Sequence, residues 1–251
     1  MKDSKILGAL TPELGNGVVS RRSAVGRTGK IAGTLALASL PATVSVFTRK
    51  AFAQIPGLPA DIVTVLNFAL TLEYLESEFF QTGVDTPGLI PDNDRPIFET
   101  IAAHETAHVL VLQGVLGASA VPKPSFDFTA GGSFNPFGDY EIFKALSQGF
   151  EDIGVRAYKG QAPALMADND ILTTALQIHS VEARHASAIR RLRGQKGWIT
   201  GNQTDIPALA PIYAGEEAAN GTATSAAAAE AFDEPLTMEQ VNAIAAVFIA
   251  A

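Results

Sequence analysis

Cysteine is absent from the 251-residue chain, and histidine occurs only four times. The chain therefore cannot form a disulfide bond, bind a metal through thiolates or use a sulfur nucleophile. Alternation of apolar and polar residues, which predicts β-strands, is also scarce. Together these absences predict an all-α protein in which any bound metal is held by oxygen and nitrogen ligands.

Long apolar runs are scarce as well. The candidate membrane span, Ile31–Val46, is about 16 residues long and contains Pro41, whereas a helix needs about 20 apolar residues to cross a bilayer. The motif Ser20–Arg22 precedes this run, and the small-x-small segment Ala51–Ala53 follows it. We interpret residues 1–53 as a cleaved twin-arginine export signal, which predicts an exported or periplasmic protein without a stable membrane span.

The signal departs from the usual pattern at one point. Ala24 and Val25 replace the bulkier pair that normally follows the two arginines. A general secretory signal, an uncleaved anchor or a disordered N-terminal tail are therefore the alternatives to twin-arginine export.

Positive charge is sparse in the remainder of the chain. Removal of residues 1–53 leaves 10 Lys and Arg against 24 Asp and Glu, a formal charge of −14 on 198 residues. A chain with this net charge is a poor candidate for nucleic-acid binding, because contacts with the phosphate backbone require positively charged side chains. An acidic protein attracts cations, although an acidic surface that only improves solubility is the plainer explanation.

Four long helices and a short fifth helix are predicted from apolar periodicity, N-cap residues and terminal glycines. The long helices are expected at about 61–81, 93–116, 139–159 and 168–193, and the fifth begins at the capping box Thr237–Gln240. Short links join the first pair and the second pair, whereas residues 117–138 form one long crossover. We predict a four-helix bundle over residues 54–198 and a C-terminal extension over 199–251 that packs on it.

Glu-x-x-His occurs twice, as Glu105–His108 and as Glu182–His185, 77 residues apart. Glu73 precedes the first copy by 32 residues, and Glu151 precedes the second by 31. Side chains three residues apart share one face of a helix, so each pair can point at one ion. A single Glu-x-x-His is most often a solvated surface pair, but the repeat makes a pseudo-twofold site the better interpretation.

The helical phase places these motifs inside the bundle. In the fourth predicted helix, Glu182 and His185 continue an apolar stripe at alternating spacings of four and three residues. The members of this stripe are Ile171, Ala175, Ile178, Ile189 and Leu192. Buried carboxylates are strongly disfavoured unless ions or hydrogen bonds compensate them, and a metal pair is the simplest compensation.

The expected ligand set divides into two halves. One ion is expected on Glu73, Glu105 and His108, and the other on Glu151, Glu182 and His185. Glu105 and Glu182 are the expected bridges, as in di-iron and di-manganese carboxylate bundles. Glu76 is a rival or additional ligand, while His104 and His179 are expected to support the ligands more often than to bind metal. Oxygen ligands with one imidazole per ion suit two iron or two manganese ions.

A zinc protease is the competing interpretation of the second helix. His104–His108 matches His-Glu-x-x-His, in which both histidines bind one zinc ion and the glutamate acts as a base. Phase does not exclude this motif. Val111 and Leu112 break the extended metzincin pattern, however, and the protease interpretation leaves the internal repeat unexplained.

Several stretches carry a resemblance to a known family. They are Leu66–Glu76, Ala103–His108, Phe150–Tyr158, His179–His185 and Asp233–Thr237. They resemble exported ferritin-like domain proteins related to plant desiccation-related proteins, over about residues 58–194. The resemblance implies a ferritin-like four-helix fold that binds iron or manganese, but no particular reaction.

The functional expectation is an exported protein with a dinuclear iron or manganese centre. Open positions on two ions would bind O2 or peroxide and support ferroxidase-, peroxidase- or catalase-like oxidative-stress chemistry. A non-catalytic stress or desiccation protein on the same fold is the alternative. The sequence is compatible with a homodimer and does not choose between iron and manganese.

Overall fold

The computed structural model describes residues 57–202, 204–217 and 230–250. The segment interpreted as an export signal, residues 1–53, lies outside the described residues. Within the described ranges, no helix combines the length and the apolar character required to cross a membrane.

The described chain is all-α, as predicted. Its α-helices are α1 (Ala60–Asp85), α2 (Arg95–Leu116), α3 (Tyr140–Gln161), α4 (Asn169–Leu192) and α5 (Met238–Ala245). Short 3-10 helices follow at Gly117–Ser119, Ala162–Leu165, Pro207–Tyr213 and Ala246–Phe248. Among the described residues the β pairing is limited to an isolated antiparallel bridge between Phe126 and Ile249.

Side-chain caps fix where three of the helices begin. Asp139 accepts hydrogen bonds from the backbone N–H groups of the first turn of α3, and Asp168 does the same for α4. Thr237 and Gln240 form the predicted capping box of α5. These caps satisfy N–H groups that have no partner within their own helix.

The topology consists of two helical hairpins. α1 packs against α2, and α3 packs against α4. Short connections at residues 86–94 and 162–168 make each pair antiparallel, and the long crossover at 117–139 joins the hairpins. This arrangement is the ferritin-like bundle expected from the lengths of the connections.

Two glycines that the sequence suggests as helix ends lie inside helices. α1 continues through Gly83 to Asp85, and α3 continues through Gly160 to Gln161. A Cβ at Gly83 would lie 2.2 Å from the ring of Phe143. A Cβ at Gly160 would lie 2.0 Å from the carbonyl oxygen of Leu236. The expected ends at Gln81 and Lys159 were therefore wrong, because both glycines permit close packing rather than termination.

Apolar side chains form two core clusters on either side of a central polar layer. One cluster is rich in phenylalanine, and Phe79 lies at its centre with the ring of Phe150 at a centroid distance of 4.9 Å. The other contains Ile62, Leu70 and Ile171 from the end of the bundle where α1 and α4 begin. The polar layer is thus enclosed by apolar packing along the bundle axis.

A buried arginine attaches the C-terminal extension to α3. The guanidinium of Arg156 donates hydrogen bonds to the carbonyl oxygens of Ile212, Ala214 and Glu234. Its Nε also lies 3.0 Å from Oε1 of Glu216, a carboxylate that is fully buried. Removing one member of such a pair would leave the other charge buried and uncompensated, so the extension is an integral part of the fold.

We expect Gly160→Ala to destabilise the protein by about 1–3 kcal/mol, because the added methyl group must displace Leu236. Alanine normally stabilises a helix interior relative to glycine by up to about 1 kcal/mol, so the sign of the effect is informative. Thermal unfolding followed by circular dichroism measures this change. Ser180→Ala, an exposed change on α4, is the control. A more stable Gly160→Ala protein would contradict the close approach.

Candidate metal centre

Six side chains from four helices converge in the central polar layer. α1 and α3 each contribute one glutamate, whereas α2 and α4 each contribute a glutamate and a histidine three residues apart. They are Glu73, Glu105, His108, Glu151, Glu182 and His185. The four glutamates are fully buried, and the two histidines are at most 8% exposed.

The local sequence explains why these side chains point inward. In α4, Ile171, Ala175, Ile178 and Ile189 are buried on the same side as Glu182 and His185. The apolar stripe anchors this face of the helix against the core, and the i, i+3 spacing then directs both polar groups into the centre.

His108 lies among three carboxylates. Its Nδ1 atom is 3.2 Å from Oε2 of Glu73 and 3.0 Å from Oε2 of Glu105. The same Nδ1 atom lies 3.1 Å from Oε1 of Glu182, which comes from the opposite hairpin. These contacts define one half of the site.

His185 occupies the related position in the second half. Its Nδ1 atom is 2.9 Å from Oε1 of Glu105 and 3.2 Å from Oε2 of Glu151. Glu105 therefore presents one oxygen to each histidine. The centroids of the two imidazole rings are 6.4 Å apart.

The donor atoms form two overlapping groups. One contains Glu73, Glu105, His108 and Glu182, and the other contains Glu105, Glu151, Glu182 and His185. In each group the donor atoms lie within 4.8 Å of one another, which is the spacing of ligands around one ion. Glu105 and Glu182 belong to both groups, which is the position that a bridging carboxylate would occupy.

In this layer, four carboxylate oxygens make no well-aligned hydrogen bond with the described residues, although two of them lie 2.9 and 3.1 Å from an imidazole nitrogen. They are Oε1 of Glu105, Oε1 of Glu151 and both oxygens of Glu182. A buried polar atom without a partner is costly, and so many in one place require compensation. Carboxylate and imidazole ligands directed at a shared centre fit iron or manganese, which favour oxygen and nitrogen donors.

Gly154 provides space beside the shared carboxylate. It lies on α3, three residues after Glu151. A Cβ at this position would lie 3.0 Å from Oε2 of Glu182 and 3.3 Å from Oε1 of Glu76. Any larger residue would crowd the centre, and the role of this glycine was not predicted from the sequence.

Burial controls the protonation of the carboxylates. Desolvation raises the pKa of Glu73 from 4.5 to about 8, although the neighbouring His108 opposes this rise. Desolvation, with repulsion from Glu182, also raises the pKa of Glu76 and of Glu151 well above the ordinary value. Protonated carboxyl groups are thus favoured where no cation neutralises the layer.

The imidazoles stabilise one carboxylate in its charged form. Burial alone would raise the pKa of Glu105, but contacts with His108 and His185 lower it below its usual range. Burial would lower the pKa of His108, but Glu73 and Glu105 raise it well above its usual value. These shifts favour a histidinium–carboxylate pair in the metal-free layer, which a metal ion would replace.

Tyr158 supports one of the candidate ligands. Its hydroxyl group donates a hydrogen bond of 2.5 Å to Oε1 of Glu73. Burial raises the pKa of Tyr158 well above 10, so the phenol stays protonated and keeps this bond. This contact with Glu73 was not predicted from the sequence.

The three additional candidates have different surroundings. Glu76 is 2% exposed and lies next to the space at Gly154, close to the centre. His104 is exposed, and its Nδ1 atom lies 2.9 Å from Nε2 of His185, on the far side of that ring from the carboxylates. Partial burial, followed by the charge of Lys159, lowers the pKa of His179, which belongs to neither donor group.

The position of His104 bears on the zinc-protease interpretation. Among the described residues, neither donor group that contains a histidine includes His104. A His-Glu-x-x-His site requires both of its histidines on one ion. Here His104 and His108 point to different neighbours, so the geometry favours the two-ion interpretation.

A buried ion pair behind Glu151 was missed from the sequence. Arg190 donates two hydrogen bonds to the carboxylate of Asp152, and the hydroxyl of Tyr213 donates a third at 2.7 Å. Arg190 lies in the last turn of α4 and is only 4% exposed. Asp152 lies 38 residues away along the chain, so no local sequence pattern predicts this ion pair.

Comparison with known proteins agrees with the fold. A family model described as a ferritin-like domain matches residues 61–195. No curated protein matches the chain significantly. The matched residues include all four helices that build the central layer and make up more than half of the sequence. The chain thus belongs to the ferritin-like domain family.

Proposed function

We propose that the protein holds a dinuclear iron or manganese centre and uses it in oxidation by O2 or peroxide. The single observation that carries this proposal is the sharing of Glu105 and Glu182 between the two donor groups. Two imidazoles and four carboxylates around two adjacent ions make up the ligand set of di-metal carboxylate bundles. When bound, such a metal pair would supply the redox chemistry for oxidation by O2 or peroxide.

Each ligand has a defined part in this proposal. Glu73 and His108 would hold one ion, and Glu151 and His185 the other. Glu105 and Glu182 would bridge them. Tyr158 would orient Glu73 through its hydrogen bond, and the apolar clusters on both sides would exclude water.

We also propose that the protein is exported. The basic pair Arg21–Arg22, the apolar run and the small-x-small segment support export of the protein to the periplasm or beyond the cell. If export occurs in the folded state, the cytoplasm would decide which metal is loaded. An N-terminal sequence of the secreted protein beginning at Gln54 would support cleavage after Ala53.

The metal content of the purified protein tests the proposed centre. We expect about two iron or manganese ions per chain in the protein purified from its native compartment without added metal. Glu105→Gln combined with Glu182→Gln should reduce this to well below one, because both halves lose their shared ligand. Mass spectrometry of the metals gives the stoichiometry. Glu78→Gln, on α1 but paired with Lys123 outside the layer, is the matched control and should keep both ions.

Other outcomes would identify other functions. One zinc ion per chain that is lost in His104→Ala but retained in Glu182→Gln would support the protease interpretation. Two ions whose spectrum is unchanged by O2 and by peroxide would support a non-catalytic stress protein. Full metal content in the double glutamine variant would refute the proposed site.

The stability of the metal-free protein should depend on pH. Glu73, Glu76, Glu151 and His108 all have raised pKa values in the folded state. The stability that their protonated forms contribute is present at low pH and is lost as pH rises through the folded-state pKa, about 8 for Glu73. We therefore expect Tm of the metal-free protein to fall by roughly 5–10 °C between pH 5.5 and pH 8.

Scanning calorimetry at several pH values tests this expectation. Iron or manganese should largely remove the fall, because the cations then compensate the ionised carboxylates. A Tm that rises with pH in the metal-free protein would show that the carboxylates are already ionised and compensated by other groups.

A further inference from the structure

An apolar cavity of about 20 Å³ lies inside the bundle next to the candidate metal centre. Ala69 on α1 is four residues before Glu73, and Leu112 on α2 is four residues after His108. At a rise of 1.5 Å per residue, both lie about 6 Å along their helices from the ligand layer. Since α1 and α2 are antiparallel, the two displacements point to the same end of the bundle.

The second hairpin encloses the same space. Ala175 on α4 is seven residues before Glu182, and Tyr158 on α3 is seven residues after Glu151. These spacings place both about 10 Å from the ligand layer, again toward the end where α1 and α4 begin. The cavity therefore lies one to two helical turns from the proposed ions and is surrounded by all four helices.

One side chain lies between the cavity and the candidate metal centre. Tyr158 contributes to its wall, while the hydroxyl of the same residue donates its hydrogen bond to Glu73. The phenol thus separates the cavity from a candidate ligand by the thickness of one side chain.

The volume of the cavity and the polarity of its lining indicate which molecule it can bind. A cavity needs about 10–15 Å³ to hold one water-sized molecule, so a volume of about 20 Å³ admits a single small molecule. Water and peroxide need several hydrogen-bond partners, but the lining is almost entirely apolar. Its polar lining residues expose little polar surface. The hydroxyls of Tyr158 and Thr174 donate to Glu73 and to the carbonyl of Asp170, and Gln161 is half-buried.

We propose that this cavity binds dioxygen and holds it beside the metal pair. The inference rests on the proposed function and adds that the oxidant is the apolar gas O2 rather than peroxide. An apolar cavity raises the local concentration of an apolar gas, because the gas loses no hydrogen bonds there.

Dissolved O2 is itself the probe, because it is paramagnetic and accelerates the relaxation of nearby methyl groups. The experiment measures methyl ¹³C relaxation in the metal-free full-length protein under pressurised O2 and under N2. We expect larger enhancement at Leu112 and Ile171, which line the cavity, than at Ile212 and Val241, which are equally buried but lie elsewhere. Equal enhancement at all four residues would overturn the proposal.

Two variants test the location. Ala175→Leu fills the cavity and should abolish the excess enhancement at Leu112, whereas Ala183→Leu, an exposed change on the same helix, should leave it unchanged. Ile171→Val enlarges the cavity at a cost of about 0.5–1.5 kcal/mol and should increase the enhancement even if Ala175→Leu fails to fold. Enhancement that is unaffected by Ile171→Val would place the gas outside this cavity.

Metal analysis of the same proteins separates this inference from the proposed function. Two ions per chain without excess enhancement would refute the oxygen cavity alone. Excess enhancement in a protein that binds no metal would refute the proposed function, and O2 would then have no role as its oxidant.

Discussion

The burial of carboxylates between two apolar clusters is the constraint on which the rest of the structure depends. Five glutamates of the central layer, Glu76 among them, are at most 2% exposed, and the imidazoles of His108 and His185 lie against them. Protons compensate part of this charge, as the raised pKa of Glu73 indicates. Cations would compensate it more completely, because they would bind the carboxylate oxygens that make no well-aligned hydrogen bond. The buried carboxylates of this layer therefore favour the binding of a positively charged ion.

The remaining architecture packs around that layer at both ends and from outside. The phenylalanine-rich cluster closes one end of the bundle, and the smaller aliphatic cluster with its cavity closes the other. α3 is held from outside as well, because Arg156 binds the carbonyl groups of the C-terminal extension. Behind Glu151, the ion pair of Asp152 and Arg190 fixes the same helix against α4. Ligand positions in the second hairpin therefore depend on contacts that are far apart in sequence.

Local signals were enough for much of the fold. The caps at Asp139, Asp168 and Thr237 mark helix starts because each side chain bonds its own first turn. Gly83 and Gly160 misled the boundary predictions, because the same residue type ends helices and also permits close packing. Only the positions of Phe143 and Leu236 distinguish these two uses. The roles of Tyr158 and Arg190 were missed for the same reason, since their partners are distant in the chain.

By itself, the sequence determined which side chains can meet at one centre. A spacing of three residues on a helix, repeated at the same place in two hairpins, requires Glu105, His108, Glu182 and His185 to face the bundle axis. The tertiary structure decided how those groups are shared. That Glu105 contacts both histidines, that His104 contacts the ring of His185, and that Gly154 leaves room beside Glu182 depend on how the hairpins are placed against each other. Helical periodicity fixes directions within one helix, whereas only packing fixes distances between helices.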